Sequence, residues 1–366
     1  MLLAGSAYYP HMLSKSLSLI LSLGALILLT GQTLSLYAAP RPIAVKVIVV
    51  TMFELGNDTG DRPGELQFWV ERDHLDHVYD LPAAYHSVRM NDSGEMAVLT
   101  GQGTAHAAAT IMALGLDPRF DLTRAYWLIA GISGGNPQRV SLGSAVWVHW
   151  IVDGDLAYEI DPREIPKDWS TGYMPLRKAR PFEPPAEPME NQVYEVNSGL
   201  EQWAFHFTHD IHLTDTDKLK AIRTEFDGKA ANSLPTVTEG DEISSSTYWH
   251  GRLLDAWANQ WVSYFTNGKG SLAATAMEDT GTLLSLKGLA AAGKVDWNRI
   301  LVLRTVSNFD QQPSNLSAAD SLARQRIGSY SAYIPALEAA YTVGHAVVNE
   351  LLTHWPKYSS AIPGGN

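Results

Sequence analysis

The chain has 366 residues, enough for one large domain or two modest ones, and it is 45% hydrophobic and 18% charged, the balance of a globular protein rather than a disordered or fibrous one. Its 27 basic against 39 acidic side chains give a net charge of −12, which argues against a nucleic-acid partner, since such partners are held by basic patches. Cys is absent, so zinc ribbons, iron–sulfur clusters, thiolate nucleophiles, disulfide frames and Cys-linked lipid anchors are excluded, and a chain this long buries enough surface to fold without them.

Residues 16–29 form an apolar run behind Lys15, and the small residues Ala38 and Ala39 follow before Pro40. This is signal-peptide grammar. It divides the chain into a cleaved segment, 1–39, and one domain, 40–366, and places the mature protein outside the cell, in a periplasm or at the cell surface. An uncleaved single-span anchor is the alternative. Beyond residue 40 no apolar run approaches the ~20 residues of a spanning helix, which excludes a multi-span carrier. Asn57, Asn91 and Asn315 open Asn-x-Ser/Thr triplets, informative only in a eukaryotic secretory pathway.

Residues 41–51 are β-branched and almost continuously apolar, as a strand buried on both faces should be. A Gly- and Asp-rich loop follows at 55–65. Residues 96–100 read as a strand ending in Gly101-Gln102-Gly103, and 104–114 as an Ala-rich helix. A third strand, 125–130, ends in a Gly-rich turn at 131–135, and a fourth covers 143–152. Residues 177–190 are rich in Pro and charge and read as an exposed loop. Helical character covers 200–225 and, with many aromatics, 246–267. A short strand at 271–275 leads into Met277-Glu278-Asp279, a helix covers 280–292, a buried-type strand 299–306 and a terminal helix 333–355. The order strand, Gly loop, helix, strand predicts an α/β fold, a mostly parallel or mixed twisted sheet flanked by helices.

Glu54, Gly101 and Gly103, Gly131 and Gly134, Met277 and Glu278, and Asn308 with Asp310 all stand just after predicted strands. Ligands bind at the carboxyl ends of strands in such sheets, so these residues are expected to share one site. A carboxylate such as Glu278 can accept two sugar hydroxyls, and Glu54 could steer a water. Gly101-Gln102-Gly103 opens a helix but lacks the third Gly of a dinucleotide fingerprint, and no Gly-Lys-Ser/Thr phosphate loop exists. Gly131-Ile132-Ser133-Gly134-Gly135 matches a nucleophile elbow literally, yet no helix follows, so a serine hydrolase stays a minor alternative. His206, His209 and His212 recur every third residue, but the first and last are rotated far around a helix, and a polar helix flank is the better reading. No metal site and no cofactor are expected.

The segments 43–51, 100–103, 130–135 with Leu142-Gly143-Ser144, 276–279 and 304–308 occur in one order that resembles the nucleoside phosphorylase/nucleosidase superfamily. More closely, residues 128–137 and the long stretch 158–166 resemble the purine nucleoside permease family, which is named for nucleoside uptake. The resemblance covers residues 43–355, and the long stretch is its specific part. It implies a nucleoside phosphorylase-like domain that binds a purine nucleoside and cleaves its N-glycosidic bond. A receptor or transport accessory without turnover is the alternative. It further implies that Met277 and Glu278 contact the ribose, that Tyr248 or Trp249 stacks on the base, that Asn308, helped by Asp310, serves the purine N7, and that Gly101, Gly131 and Gly134 line the phosphate or ribose pocket. The chain departs from the superfamily in having Asn308 where an Asp is usual, and in having no Arg at 128–130 to hold phosphate. Arg89, Arg139 and Arg304 are the remaining candidates for a phosphate co-substrate, although Arg304 could equally be buried in an ion pair. Hydrolysis is therefore expected over phosphorolysis, with Glu54 on the water. A membrane transport partner and a homo-oligomer remain open.

Overall fold

The apolar run near the start of the domain becomes strand β1 (Val47–Thr51), buried at every position. Its alternate side chains reach two different cores, which is why the run is continuous rather than alternating. Ile48 and Val50 join a core that includes Ile111, Leu114, Leu283 and Leu286. Val47 and Val49 join another with Trp69, Leu128, Val343 and Val347. The computed structural model describes residues 41–325 and 332–365, so the expected signal peptide, 1–39, lies outside the described residues.

β1 pairs in parallel with β2 (Glu95–Leu99) on one side and with β3 (Tyr126–Gly135) on the other. The remaining main strands are β4 (Ala145–Asp153), β5 (Val237–Ser244), β6 (Leu272–Ala276) and β7 (Ile300–Phe309). β7 runs parallel to β3 and antiparallel to β4, β4 and β5 are parallel, β5 and β6 are parallel, and β6 returns antiparallel to β3. These pairings close a circuit, so the mixed sheet curls on itself, and β1 and β2 extend it beyond β3. Short strands at Val193–Glu195, Val88–Met90 and His77–Tyr79 finish the edges.

Helices cover both faces: α1 (Gln67–Arg72), α2 (Thr104–Gly115), α3 (Ser198–Thr208), α4 (Asp217–Arg223), α5 (Arg252–Phe265), α6 (Asp279–Ala291), α7 (Ala318–Ala323) and α8 (Tyr333–Thr353). α2 and α6 lie close together because Gly281 has no side chain; a Cβ there would collide with the Thr104 backbone. No helix among the described residues is long and apolar enough to cross a membrane.

The structure corrects three expectations and adds a strand. The Gly-rich segment 131–135 is not a turn: it continues β3, pairing with β7 and, at Gly134 and Gly135, with β6. Ser133 thus lies within a strand and not on a strand-to-helix turn, which removes the elbow geometry. Residues 200–225 split into α3 and α4, because Asn197 and Thr216 each cap a new helix with a side-chain oxygen. The aromatic helix starts at Arg252, after Gly251 at φ 132. β5 lies in the stretch 226–245, which the sequence analysis leaves unassigned, because Glu239, Asp241 and Glu242 break up its apolar pattern. The fold accommodates them individually: Asp241 accepts the Trp150 N–H at 2.9 Å and the Ser271 N–H at 2.5 Å, and Glu242 meets an arginine inside the circuit.

Candidate active site

The carboxyl ends of β1, β3, β6 and β7 surround a cavity that opens to solvent. Its walls come from Met52, Phe53 and Glu65 after β1, Ile132 to Gly134 at the end of β3, Thr275 to Glu278 at the end of β6, Ser307, Asn308 and Asp310 at the end of β7, and Gln102 with Thr247, Tyr248 and Trp249 from the loops. The sheet topology thus gathers side chains separated by more than 250 residues; of those expected at strand ends, Gly134, Met277, Glu278, Asn308 and Asp310 line the cavity, and Glu54, Gly101, Gly103 and Gly131 do not.

One wall is built on Arg304, in the interior of β7 and 1% exposed. Its Nε donates to Asp279 Oδ2 at 2.9 Å, Nη2 pairs with Asp279 Oδ1, and Nη1 donates to the Ile132 carbonyl at 3.2 Å. Glu242 stands 3.6 Å away and Glu278 3.7 Å away. Asp279, in the first turn of α6, also faces the favourable end of that helix. One cation thus serves several buried acids, so some of them must hold protons. Burial pushes Glu242 well above the usual carboxylate range, with the neighbouring Asp279 charge adding to it and Arg304 opposing. Burial likewise raises Glu278, against the pull of Arg304 and of the Gly103 N–H, which its Oε1 accepts at 3.2 Å.

Glu65 is the acid that the sequence reading missed. Its Oε2 accepts the Met52 N–H at 2.8 Å and its Oε1 the Ile132 N–H at 2.7 Å, bridging the ends of β1 and β3. Burial pushes it up to about 8, with Arg304 opposing and Glu278 reinforcing. Glu54 does not line the cavity. Its carboxylate accepts the N–H groups of Leu55, Gly64, Leu66 and Gln67 and so ties down the loop that delivers Glu65. The available signal was the return of apolar residues at Leu66, Phe68 and Trp69, which brings the loop back under the sheet immediately after Glu65.

The base of β7 contributes a second wall. The Asn308 Nδ2 donates to Tyr248 Oη at 3.1 Å and to the Phe309 carbonyl at 3.2 Å, and its Oδ1 accepts from Ser307 Oγ at 2.9 Å. Tyr248 Oη in turn donates to Gln325 Oε1 at 2.7 Å. Trp249 lines the cavity and meets Trp257 edge-on at 6.1 Å. Asp310 also lines the cavity and is 1% exposed.

The glycines divide by task. Gly134 lines the cavity; a Cβ there would strike Thr275 Oγ1 and sit 3.6 Å from Asn308 Nδ2. Gly131 does not line it, but a Cβ there would lie 2.6 Å from Arg304 Nη1 and 2.7 Å from Glu65 Oε1, so its bareness admits both groups. Gly101 and Gly103, at φ 83 and 89, form the turn into α2 and likewise stay outside the lining, where Gln102 takes their place. Of the three arginines considered for phosphate, Arg304 is in the ion pair, Arg89 pairs with Asp58 at 2.7 Å, and Arg139 lies on an exposed turn. Among the described residues none that lines the cavity is Lys or Arg. His206 and His209 bond carbonyls of their own helix end, those of Gln202 and His206.

The profile described as "Purine nucleoside permease (NUP)" matches residues 44–363. A purine nucleoside permease from Candida albicans is 29% identical over 328 residues, 87% of this chain and 78% of that protein. A probable purine nucleoside permease from Schizosaccharomyces pombe is 29% identical over 355 residues, 93% of this chain and 98% of that protein. Among solved structures, a 5′-methylthioadenosine/S-adenosylhomocysteine nucleosidase from Helicobacter pylori superposes with a TM-score of 0.51 at 13% identity, covering 84% of this chain and 100% of that one. At that identity the likeness concerns the fold, which is nucleoside phosphorylase-like.

Proposed function

Because the chain belongs to the purine nucleoside permease family, we propose that the cavity binds a purine nucleoside and hydrolyses its N-glycosidic bond. The observation that carries this reading is the opening of Glu278 and of Asn308 with Asp310 into one cavity at the carboxyl ends of the strands. Glu278 accepts the ribose hydroxyls, with Met277 packed on the sugar. Tyr248 and Trp249 flank the base, and Asn308 and Asp310 face its imidazole edge. Breaking the bond develops positive charge on the ribosyl ring, and a wall of acids stabilises such charge.

Glu65 takes the role that the sequence reading gave to Glu54, orienting and deprotonating the attacking water. With its carboxyl pushed up to about 8, roughly a tenth of it is ionised at pH 7, and each ionised group is a correspondingly stronger base. Water is favoured over phosphate because a phosphate dianion needs cationic donors, and the described lining supplies acids instead. For the uptake role, we propose that an exported form, directed by residues 16–29, collects nucleosides for a membrane carrier; cell fractionation tests it, and retention of the protein in the cytosol would count against it.

The experiment for the main reading is incubation with inosine or adenosine, with and without phosphate, followed by analysis of base and sugar. Free base with free ribose is expected in both buffers. Ribose 1-phosphate would replace hydrolysis by phosphorolysis. Saturable nucleoside binding with no base released would favour a receptor, a second reading supported by one observation: Asn308 carries no acidic proton and spends its amide hydrogens on Tyr248 and Phe309.

A further inference from the structure

A second cavity adjoins the first. Thr247 and Trp249 line both, so their loop is the common wall. No step of the proposed reaction uses this second cavity. Its lining combines three aromatic rings, Tyr173, Trp249 and Trp257, with two carboxylates, Asp155 and Glu159. Among the described residues none that lines it is Lys, Arg or His.

The rings are built as one unit. Trp257, on α5 and 5% exposed, packs on the buried Trp261 one turn further along, with ring centroids 5.4 Å apart. Tyr173 meets Trp257 at 4.8 Å with a 34° tilt, and Trp249 meets it edge-on at 6.1 Å. The acids are brought to these rings by backbone pairing. The short strand Tyr173–Pro175 runs antiparallel to Ala157–Glu159, and Tyr173 stands directly opposite Glu159. Opposite residues of such a pair share a face of the sheet. Asp155 is held by its Oδ2, which accepts the Ser246 N–H at 2.8 Å. Burial raises the Tyr173 hydroxyl above its ordinary value, and the Glu159 and Asp155 charges add to it, so both acids lie within electrostatic reach of that ring.

These features suit a cation. Aromatic faces carry negative potential and attract ammonium groups, Trp most of all. The carboxylates supply opposite charge, and no cation of the lining competes for it. An anionic ligand would meet two like charges, and a wholly apolar one would desolvate them without compensation. Trp257 adds a requirement. Its indole N–H has no hydrogen-bond partner among the described residues. Buried donors are normally satisfied, so a ligand oxygen is the partner that the chain itself does not supply.

We propose that this second cavity binds a small organic ammonium ion that carries a hydroxyl, an amino alcohol, with its charged group among Tyr173, Trp249 and Trp257 and balanced by Asp155 and Glu159. The site is additional to the nucleoside site across the shared wall, and it does not depend on whether the nucleoside is cleaved.

The test uses the whole protein and two probes of equal shape, choline and its uncharged carbon isostere 3,3-dimethylbutan-1-ol. Saturation-transfer NMR on their methyl signals is expected to show saturable binding of choline and none of the isostere. Equal binding of the two would make the cavity an ordinary apolar one and overturn the proposal, as would the absence of choline binding. Saturable binding of D-ribose without binding of choline would identify a sugar site and overturn it as well. Tyr173→Leu should weaken choline ~2- to 5-fold, the worth of one exposed contact between a cation and a ring. Asp155→Asn combined with Glu159→Gln should weaken it ~5- to 10-fold. Asp155→Asn keeps an oxygen for the Ser246 N–H. Glu159 is exposed, so Glu159→Gln alone, expected to weaken choline ~2- to 5-fold, keeps the test decisive should the double variant fold poorly. Undiminished choline affinity in the folded variants would place the cation elsewhere and overturn the site.

Discussion

Two groups of buried carboxyls stand at the cavity, Glu65 and Glu278 lining it from one group and Asp310 from the other, and they are held differently. Around Arg304, Asp279, Glu242, Glu278 and Glu65 share one guanidinium and several backbone N–H groups. Away from that guanidinium, Asp255 accepts from the amides of Asn259 and Gln311, and neither oxygen of the buried Asp310 carboxyl has a hydrogen-bond partner. A carboxyl beside Arg304 can ionise and meet a cationic sugar; a carboxyl denied both cation and donors keeps its proton. The same residue type is thus held in two different environments, and in the proposed reaction the two groups would face opposite ends of the bond that breaks.

The largest effect expected from breaking this contrast is at Arg304. Arg304→Met strands several acids around an uncharged side chain. Removing one partner of a buried ion pair typically costs about 3–5 kcal/mol, and urea unfolding should register a loss of that size. A loss under about 1 kcal/mol would show that the acids are already neutral without the guanidinium. Arg304→Lys should not restore the wild-type stability, since one ammonium cannot reproduce the fork on Asp279.

The next effect is at Glu278. Glu278→Ala should weaken nucleoside binding by about 2–4 kcal/mol, the cost of losing a charge-assisted contact in a desolvated site. Calorimetric titration with the nucleoside measures it, and unchanged affinity would remove the ribose contact from this acid.

Glu65 distinguishes the walls by pH. Its pKa is raised from 4.5 to about 8 in the fold, so the stability linked to its proton is complete below about 4.5 and lost as pH rises through about 8. Activity that needs the ionised base moves the other way, rising with pH towards the same value. Glu65→Gln should abolish that rise and flatten the stability change between the two values. A rising limb that survives in Glu65→Gln would reassign the base.

These contrasts were only partly legible in the sequence. The buried strand β1 and the site at the strand ends were, because apolar periodicity and the α/β order are local signals. The ion pair at Arg304 was visible as one of two readings, since alternation on a buried strand points a side chain into the core. β5 was not visible, because Asp241 and Glu242 look solvated until tertiary partners satisfy them. Glu65 was hidden in a polar loop, where Glu54 stood nearer the strand end and attracted the assignment. Asp255 looked like the polar face of an amphipathic helix, and only the approach of β7 makes it a neighbour of Asp310. Gly131 to Gly135 read as a turn because glycine usually marks one, whereas here the missing side chains admit Arg304, Glu65 and Thr275 to a strand.

The smallest expected effect is at Tyr248, and it tests whether the leaving purine is activated through its hydroxyl. Tyr248 is 38% exposed; its hydroxyl accepts from Asn308 Nδ2 and donates to Gln325 Oε1. Tyr248→Phe keeps the ring that is proposed to flank the base and removes the hydroxyl with these two hydrogen bonds, each worth about 0.5–1.5 kcal/mol. One Asn308 amide hydrogen then becomes available to the base, which offsets part of the loss. KM for inosine should therefore shift by less than about 10-fold. Its kcat should stay close to wild type, because these hydrogen bonds run to Asn308 and Gln325, neither of which carries an acidic proton. If kcat instead falls by ~10²-fold or more, with KM unchanged, then the leaving purine is activated through Tyr248 and Asn308. The second wall would in that case act on the chemical step and not only on binding.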